Sequence, residues 1–166
     1  MLSLEPPPCV APVLVLAIGN PSRGDDALGP LAAQRIEAMG LPGVEVLTDF
    51  QLQVEHALDL LGRELVVFVD AAAAGPASFE LTALAPAADD GASTHRISPA
   101  AVLDAFRRLT DQSPPPARLL AIRGQAFELG APLSGAAATH LDAAVAALAA
   151  HLRGAAATPV GQLAAG

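Results

Sequence analysis

Two short apolar runs constrain this chain more than any other feature, because each is closed at its carboxyl end by groups that carry chemistry. Val13–Ile18 runs into the turn cluster Gly19-Asn20-Pro21, and Leu65-Val66-Val67-Phe68-Val69 runs into Asp70. Runs of this length with no polar alternation read as strands covered on both faces, which is how parallel sheets are built. Helical patterns lie between them. Leu28, Leu31, Ala32 and Ile36 keep helical spacing from about Ala27 to Met39, and Gly40 is a stop signal. Val44–Leu47 reads as a second strand. Val54, Ala57, Leu58 and Leu61 form an i, i+3, i+4, i+7 face, which predicts a helix over Gln51–Leu61.

After Asp70 only a short stretch precedes the next β-like segment, Phe79–Leu84. A parallel crossover needs a dozen or more residues, so that segment is expected to be antiparallel or at an edge. Ser98-Pro99 reads as an N-cap followed by proline at the first helical position, opening a helix through Val102, Leu103, Phe106 and Leu109. Pro114-Pro115-Pro116 breaks the chain before a last strand, Arg118–Arg123. Ser134 is placed to cap a final helix with the stripe Leu141, Val145, Leu148 and Leu152. The expected architecture is a three-layer α/β/α fold around a mostly parallel, roughly five-stranded twisted sheet with one antiparallel strand. Residues 1–11 are expected to be a flexible leading segment, 12–153 a single domain, and 154–166 a disordered tail.

Composition narrows the partners. All nine cationic residues are arginine, against seventeen acids, giving a formal net charge of −8. Such a surface repels phosphate backbones and anionic lipid, so neither nucleic acid nor a membrane is expected as a partner. No stretch reaches the ~20 apolar residues of a membrane span. The single cysteine, Cys9, excludes an internal disulfide and a cysteine-rich metal site. A cytoplasmic protein is the expectation. Hydrophobic residues make up 52% of the chain but aromatics only 3%, so the core must be aliphatic.

The residues able to do chemistry are few. In open α/β sheets ligands sit beyond the carboxyl ends of the strands. Asp25 and Asp26 follow the first strand by a loop, and Asp70 closes the third, so the two strand ends bring carboxylates together if the strands are neighbours. Acids at a helix start also stabilise the helix dipole without any function. Asp25 suits that role, or a loop clamp, and leaves Asp26 to face the cleft. A carboxylate ending a buried strand is partly desolvated; it needs a partner, or its pKa rises. Asp70 is therefore a capped turn or a metal or proton-transfer group. His95 lies three residues before the cap Ser98, where a helix N-terminus favours the neutral imidazole that binds metals. It equally suits a loop histidine bonded to backbone. His56, His140 and His151 read as solvated or groove-filling, and Asp59, Asp89, Asp90 and Asp104 as solvated faces or loops. Arg123-Gly124-Gln125 is a further candidate to line the cleft. There is no Gly-x-Ser-x-Gly elbow, no His-Glu-x-x-His and no P-loop.

Taken together, Gly19-Asn20…Asp25-Asp26-x-x-Gly29, the strand ending in Asp70-Ala71, and Thr94-His95-x-x-Ser98-x-x-x-x-Leu103 resemble the [NiFe]-hydrogenase maturation endopeptidases. The resemblance spans residues 13 to about 152 in the right order. It implies a monomeric α/β hydrolase that removes the C-terminal extension from the precursor of a [NiFe]-hydrogenase large subunit after nickel insertion. It implies that Asp26, Asp70 and His95 are the metal-contacting and catalytic positions. It also implies substrate contact by the segment after the second strand, which makes Asp49 and Gln51 substrate-binding candidates, with Asn20 in the turn after the first strand as a third. The sequence departs from the pattern at Ala17, where a glycine is common, and over Asp49–His56, where a Gly-rich turn is usual. The latter segment resembles the variety that accompanies soluble NAD-linked hydrogenases.

Two carboxylates and one imidazole make an incomplete shell for a borderline metal such as nickel. The expectation is nickel carried in by the substrate, with no organic cofactor. The metal would polarise the scissile carbonyl or lower the pKa of a water. In an aspartic-type alternative, a carboxylate would act as general base. A non-catalytic, nickel-dependent chaperone of the same precursor would use the same three residues. A nucleotide or small-molecule hydrolase would want phosphate contacts near the first turn, where only Arg23 offers itself.

Overall fold

The computed structural model describes residues 4–5, 7, 9–89 and 96–156. Its strands are β1 (Val13–Ile18), β2 (Val44–Asp49), β3 (Leu65–Ala72), β4 (Phe79–Leu84) and β5 (Ala117–Arg123). Its α-helices are α1 (Leu28–Ala38), α2 (Pro99–Thr110) and α3 (Gly135–Ala156). Among the described residues the strands form one sheet in the order β2-β1-β3-β5-β4. β1 pairs in parallel with β2 and with β3, β3 pairs in parallel with β5, and β4 runs antiparallel to β5 at the edge. This is the mostly parallel α/β fold that the alternating pattern predicts, with the antiparallel strand where the short connection after Asp70 requires it.

Side-chain alternation along each strand builds two cores. Val13, Val15, Ala17, Val67, Val69, Leu120 and Ile122 face α1 and α3, whose Leu28, Ile36, Leu141, Leu148 and Leu152 fill that layer. Leu14, Leu16, Ile18, Val66 and Phe68 face the other way, against Leu52, Leu60, Val102, Leu103 and Phe106. β1 and the middle of β3 are buried on both sides, which is why their sequences carry no polar alternation, whereas the edge strand β2 is half-buried to exposed and carries Glu45, Thr48 and Asp49.

Some elements differ from the sequence reading. Gly24–Ala27 is a 3₁₀ turn before α1. The helix expected over Gln51–Leu61 is a shorter 3₁₀ helix, Val54–Leu60. Its three-residue turn buries Ala57 and Leu60 on one face and leaves Val54 and Leu58 exposed, so the expected α-helical stripe never forms. A capping box closes its start: the Gln53 N–H donates to His56 Nδ1 at 2.8 Å, and the Gln53 side chain accepts from the His56 N–H. β3 continues past Asp70, which pairs with Ala121 inside the ladder rather than ending it. Ser98 caps α2 by accepting from the Ala101 N–H, and Ser134 caps α3 by accepting from the Ala137 N–H. α3 runs through Gly154 to Ala156. Leu109, expected on the buried stripe of α2, is 46% exposed. Asp104, expected on a solvated face, is buried and is tied to Arg107 and Arg108 one turn on.

Candidate functional site

The strand order reverses between β1 and β3: from β1 the chain steps outward to β2, then returns across β1 to β3. Crevices form at such points, outside the carboxyl ends of the strands. A cleft of about 280 Å³ lies there, and Asp26, Gln51, Asp70, Arg96 and Ser98 are among its walls.

The loop after β1 is built to deliver Asp26. Gly19 has φ +148°, and a Cβ there would sit 2.0 Å from the Asp26 carbonyl oxygen, so only glycine lets the chain fold back so closely. Gly29 serves the same end. A Cβ on it would lie 2.2 Å from the Ile18 carbonyl oxygen, and glycine lets the start of α1 rest against the strand ends. The Asn20 N–H donates to Asp26 Oδ2 at 2.7 Å and fixes the carboxylate. Asp25 turns the other way. It is fully buried and accepts from the Gln125, Ala126 and Ser134 N–H groups and from the Ser134 hydroxyl, at 2.7–3.0 Å. Burial pushes its pKa up, but those four bonds outweigh burial and hold the carboxyl below its ordinary value of 3.8. Asp25 is thus the clamp of the loop, and Asp26 faces the cleft. Arg123-Gly124-Gln125, expected at the cleft, instead closes around Asp25: a Cβ on Gly124 would meet Asp25 Cβ at 2.7 Å.

Asp70 reaches the cleft by strand parity. It follows Val66 and Phe68 on the face that carries α2 and the second 3₁₀ helix, just beyond the last β1 pairing, Ala17 with Val69. The Ala71 N–H donates to Asp70 Oδ1 at 2.8 Å. Its pKa is raised to about 7, first by desolvation and then by the Asp26 charge, against the opposing pull of the Ala71 bond and the Arg96 charge. Two carboxylates therefore feel each other in one cleft, one of them able to carry a proton near neutrality.

The other candidates fall as follows. Gln51 lines the cleft. Asp49 and Asn20 are not among its lining residues, and their side chains are engaged locally. Asp49 accepts from the Phe50 N–H at 2.7 Å and lies 3.1 Å from His56 Nε2, while Asn20 Oδ1 accepts from the Ser22 N–H at 2.9 Å. His95 lies outside the described residues, though its covalent neighbour Arg96 is on the cleft wall. Among the described residues no group of three His, Cys, Asp or Glu side chains is arranged to hold a metal ion. The sequence reading passed over Arg96 and over Phe50, a 67% exposed aromatic on the cleft rim. The available signal was position: Arg96 follows His95, and Phe50 sits between the two candidates Asp49 and Gln51.

No protein-family model matches the chain, and no curated protein sequence does. Solved structures do. The [NiFe] hydrogenase maturation protease HycI from Thermococcus kodakarensis superposes with a TM-score of 0.67 at 24% identity, covering 86% of this chain and 93% of that one. The hydrogenase maturating endopeptidase HybD from E. coli gives 0.66 at 23% identity, with the same coverages of 86% and 93%. A hydrogenase 2 maturation peptidase from a Thaumarchaeota archaeon gives 0.63 at 21% identity, covering 84% and 97%. The chain shares their fold. No helix among the described residues is long and apolar enough to cross a membrane.

Proposed function

We propose that this chain is a peptidase that removes the C-terminal extension from the precursor of a [NiFe]-hydrogenase large subunit after nickel has been inserted. The observation that carries this reading is the meeting of Asp26 and Asp70 in one cleft, at the strand reversal of a fold shared with hydrogenase maturation proteases. His95 is proposed as the third group, since its neighbour Arg96 is already on the cleft wall.

Nickel enters this scheme as part of the substrate. Two carboxylates and a neutral imidazole leave positions open on the ion, which the precursor's own ligands fill. Asp26, held by the Asn20 N–H, gives a fixed oxygen. Asp70, with its raised pKa, suits a carboxyl that binds when deprotonated and can accept a proton from water during peptide hydrolysis. The scheme makes processing conditional on nickel.

The test is the mass of the large subunit after incubation with this protein, for nickel-loaded and nickel-free precursor. The expected result is loss of a C-terminal peptide from the loaded form alone. Equal cutting of both forms would remove nickel from recognition. Nickel-dependent binding with no change of mass would mark a chaperone in place of a peptidase.

A further inference from the structure

Val54, at the start of the second 3₁₀ helix, is 47% exposed, and Leu109, near the end of α2, is 46% exposed. Both line a groove of about 480 Å³ between the two helices, with the small residues Ala101 and Ala105 also in its lining. Ile97 belongs to the wall of this groove and to the wall of the two-carboxylate cleft. The groove and the cleft therefore share one wall residue.

Its charged lining residues are already engaged. Arg108 is paired with Asp104. Asp89 accepts from the Ser98 N–H at 2.9 Å and from the Ser98 hydroxyl at 2.5 Å. Neither is left to recognise an ion. Branched apolar walls beside small alanines fit bulky apolar side chains of an extended peptide.

We infer that the groove holds an apolar stretch of the same precursor chain whose scissile bond lies at Asp26 and Asp70; the inference rests on the peptidase reading above. A polypeptide leaving the cleft past Ile97 enters the groove directly. The groove then supplies affinity, and the cleft supplies chemistry.

The experiment uses full-length protein, nickel-loaded precursor, and the variants Val54→Gln, Leu109→Gln and the double change, all at half-exposed positions where the fold tolerates polarity. Each single variant is expected to raise KM about three- to tenfold, the double more, with the effect on KM and not on kcat. Precursor binding is measured in parallel, without regard to cutting. If the wild type binds but does not cut, the peptidase reading fails, and weaker binding by the double variant still assigns the groove. Unchanged KM and unchanged binding in the double variant would overturn the inference. So would a wild-type dimer that the double variant dissociates with precursor binding intact, since a second copy would then be the occupant.

Discussion

Asp25 and Asp70 show how one residue type is driven in opposite directions by its surroundings. Asp25 is buried among four donors, so its carboxylate is stabilised in the fold. Its contribution to stability is present above the ordinary value of 3.8 and is lost as pH falls through the lower folded value. Asp25→Ala strands three backbone N–H groups, and is expected to cost about 3–5 kcal/mol in urea unfolding at neutral pH. Asp70 has the reverse sign. Its folded value of about 7 means the native state keeps a proton that the unfolded chain has lost above 3.8. Its contribution is full below 3.8 and declines as pH rises through 7. Asp70→Asn, which cannot ionise, is expected to exceed the wild type in stability at pH 8 by roughly 2–4 kcal/mol, with the difference closing in acid. Arg96→Gln should move the Asp70 titration, followed by carboxyl carbon NMR, to higher pH because it removes the cation that favours the charged form.

At the scale of elements, the site depends on where strands and helices stop. Gly19→Ala would force a Cβ into the Asp26 carbonyl at a φ that L-residues avoid, and is expected to destabilise the protein by about 2–4 kcal/mol. If the variant still folds, the N–H bond from Asn20 to Asp26 should be lost, as read by amide exchange at residue 20. Strands and caps were legible in the sequence because their signals are local: apolar runs for β1 and β3, Ser98-Pro99 for α2, Ser134 for α3. The 3₁₀ helix was not, since Val54, Ala57, Leu58 and Leu61 satisfy an α-helical pattern on paper. Packing keeps Ala57 and Leu61, adds Leu60, and leaves Val54 and Leu58 outside. Likewise the spacing that puts Leu109 on a helical stripe cannot tell that the core ends one turn earlier, at Phe106. Asp104 looked solvated because its neutralising partners, Arg107 and Arg108, are ordinary surface residues until the helix folds.

For the whole molecule, the sheet order joins residues far apart in sequence. Asp26 and Asp70 meet because β1 and β3 are neighbours, an arrangement that right-handed crossover connections favour. The cleft shares Ile97 with an apolar groove, so the chemistry and the affinity proposed above would meet at one residue. Arg96 and the groove were less legible than the acids because they arise where the start of α2 and the chain after β2 come together, which no single segment records. The central claim, that Asp26 and Asp70 act together on a precursor's peptide bond, is tested most directly by mass spectrometry. Nickel-loaded large-subunit precursor would be incubated with wild type and with folded Asp26→Asn and Asp70→Asn proteins. The wild type is expected to release the C-terminal peptide, and each variant to leave the precursor at its full mass. Release by either variant at the wild-type rate would contradict the account.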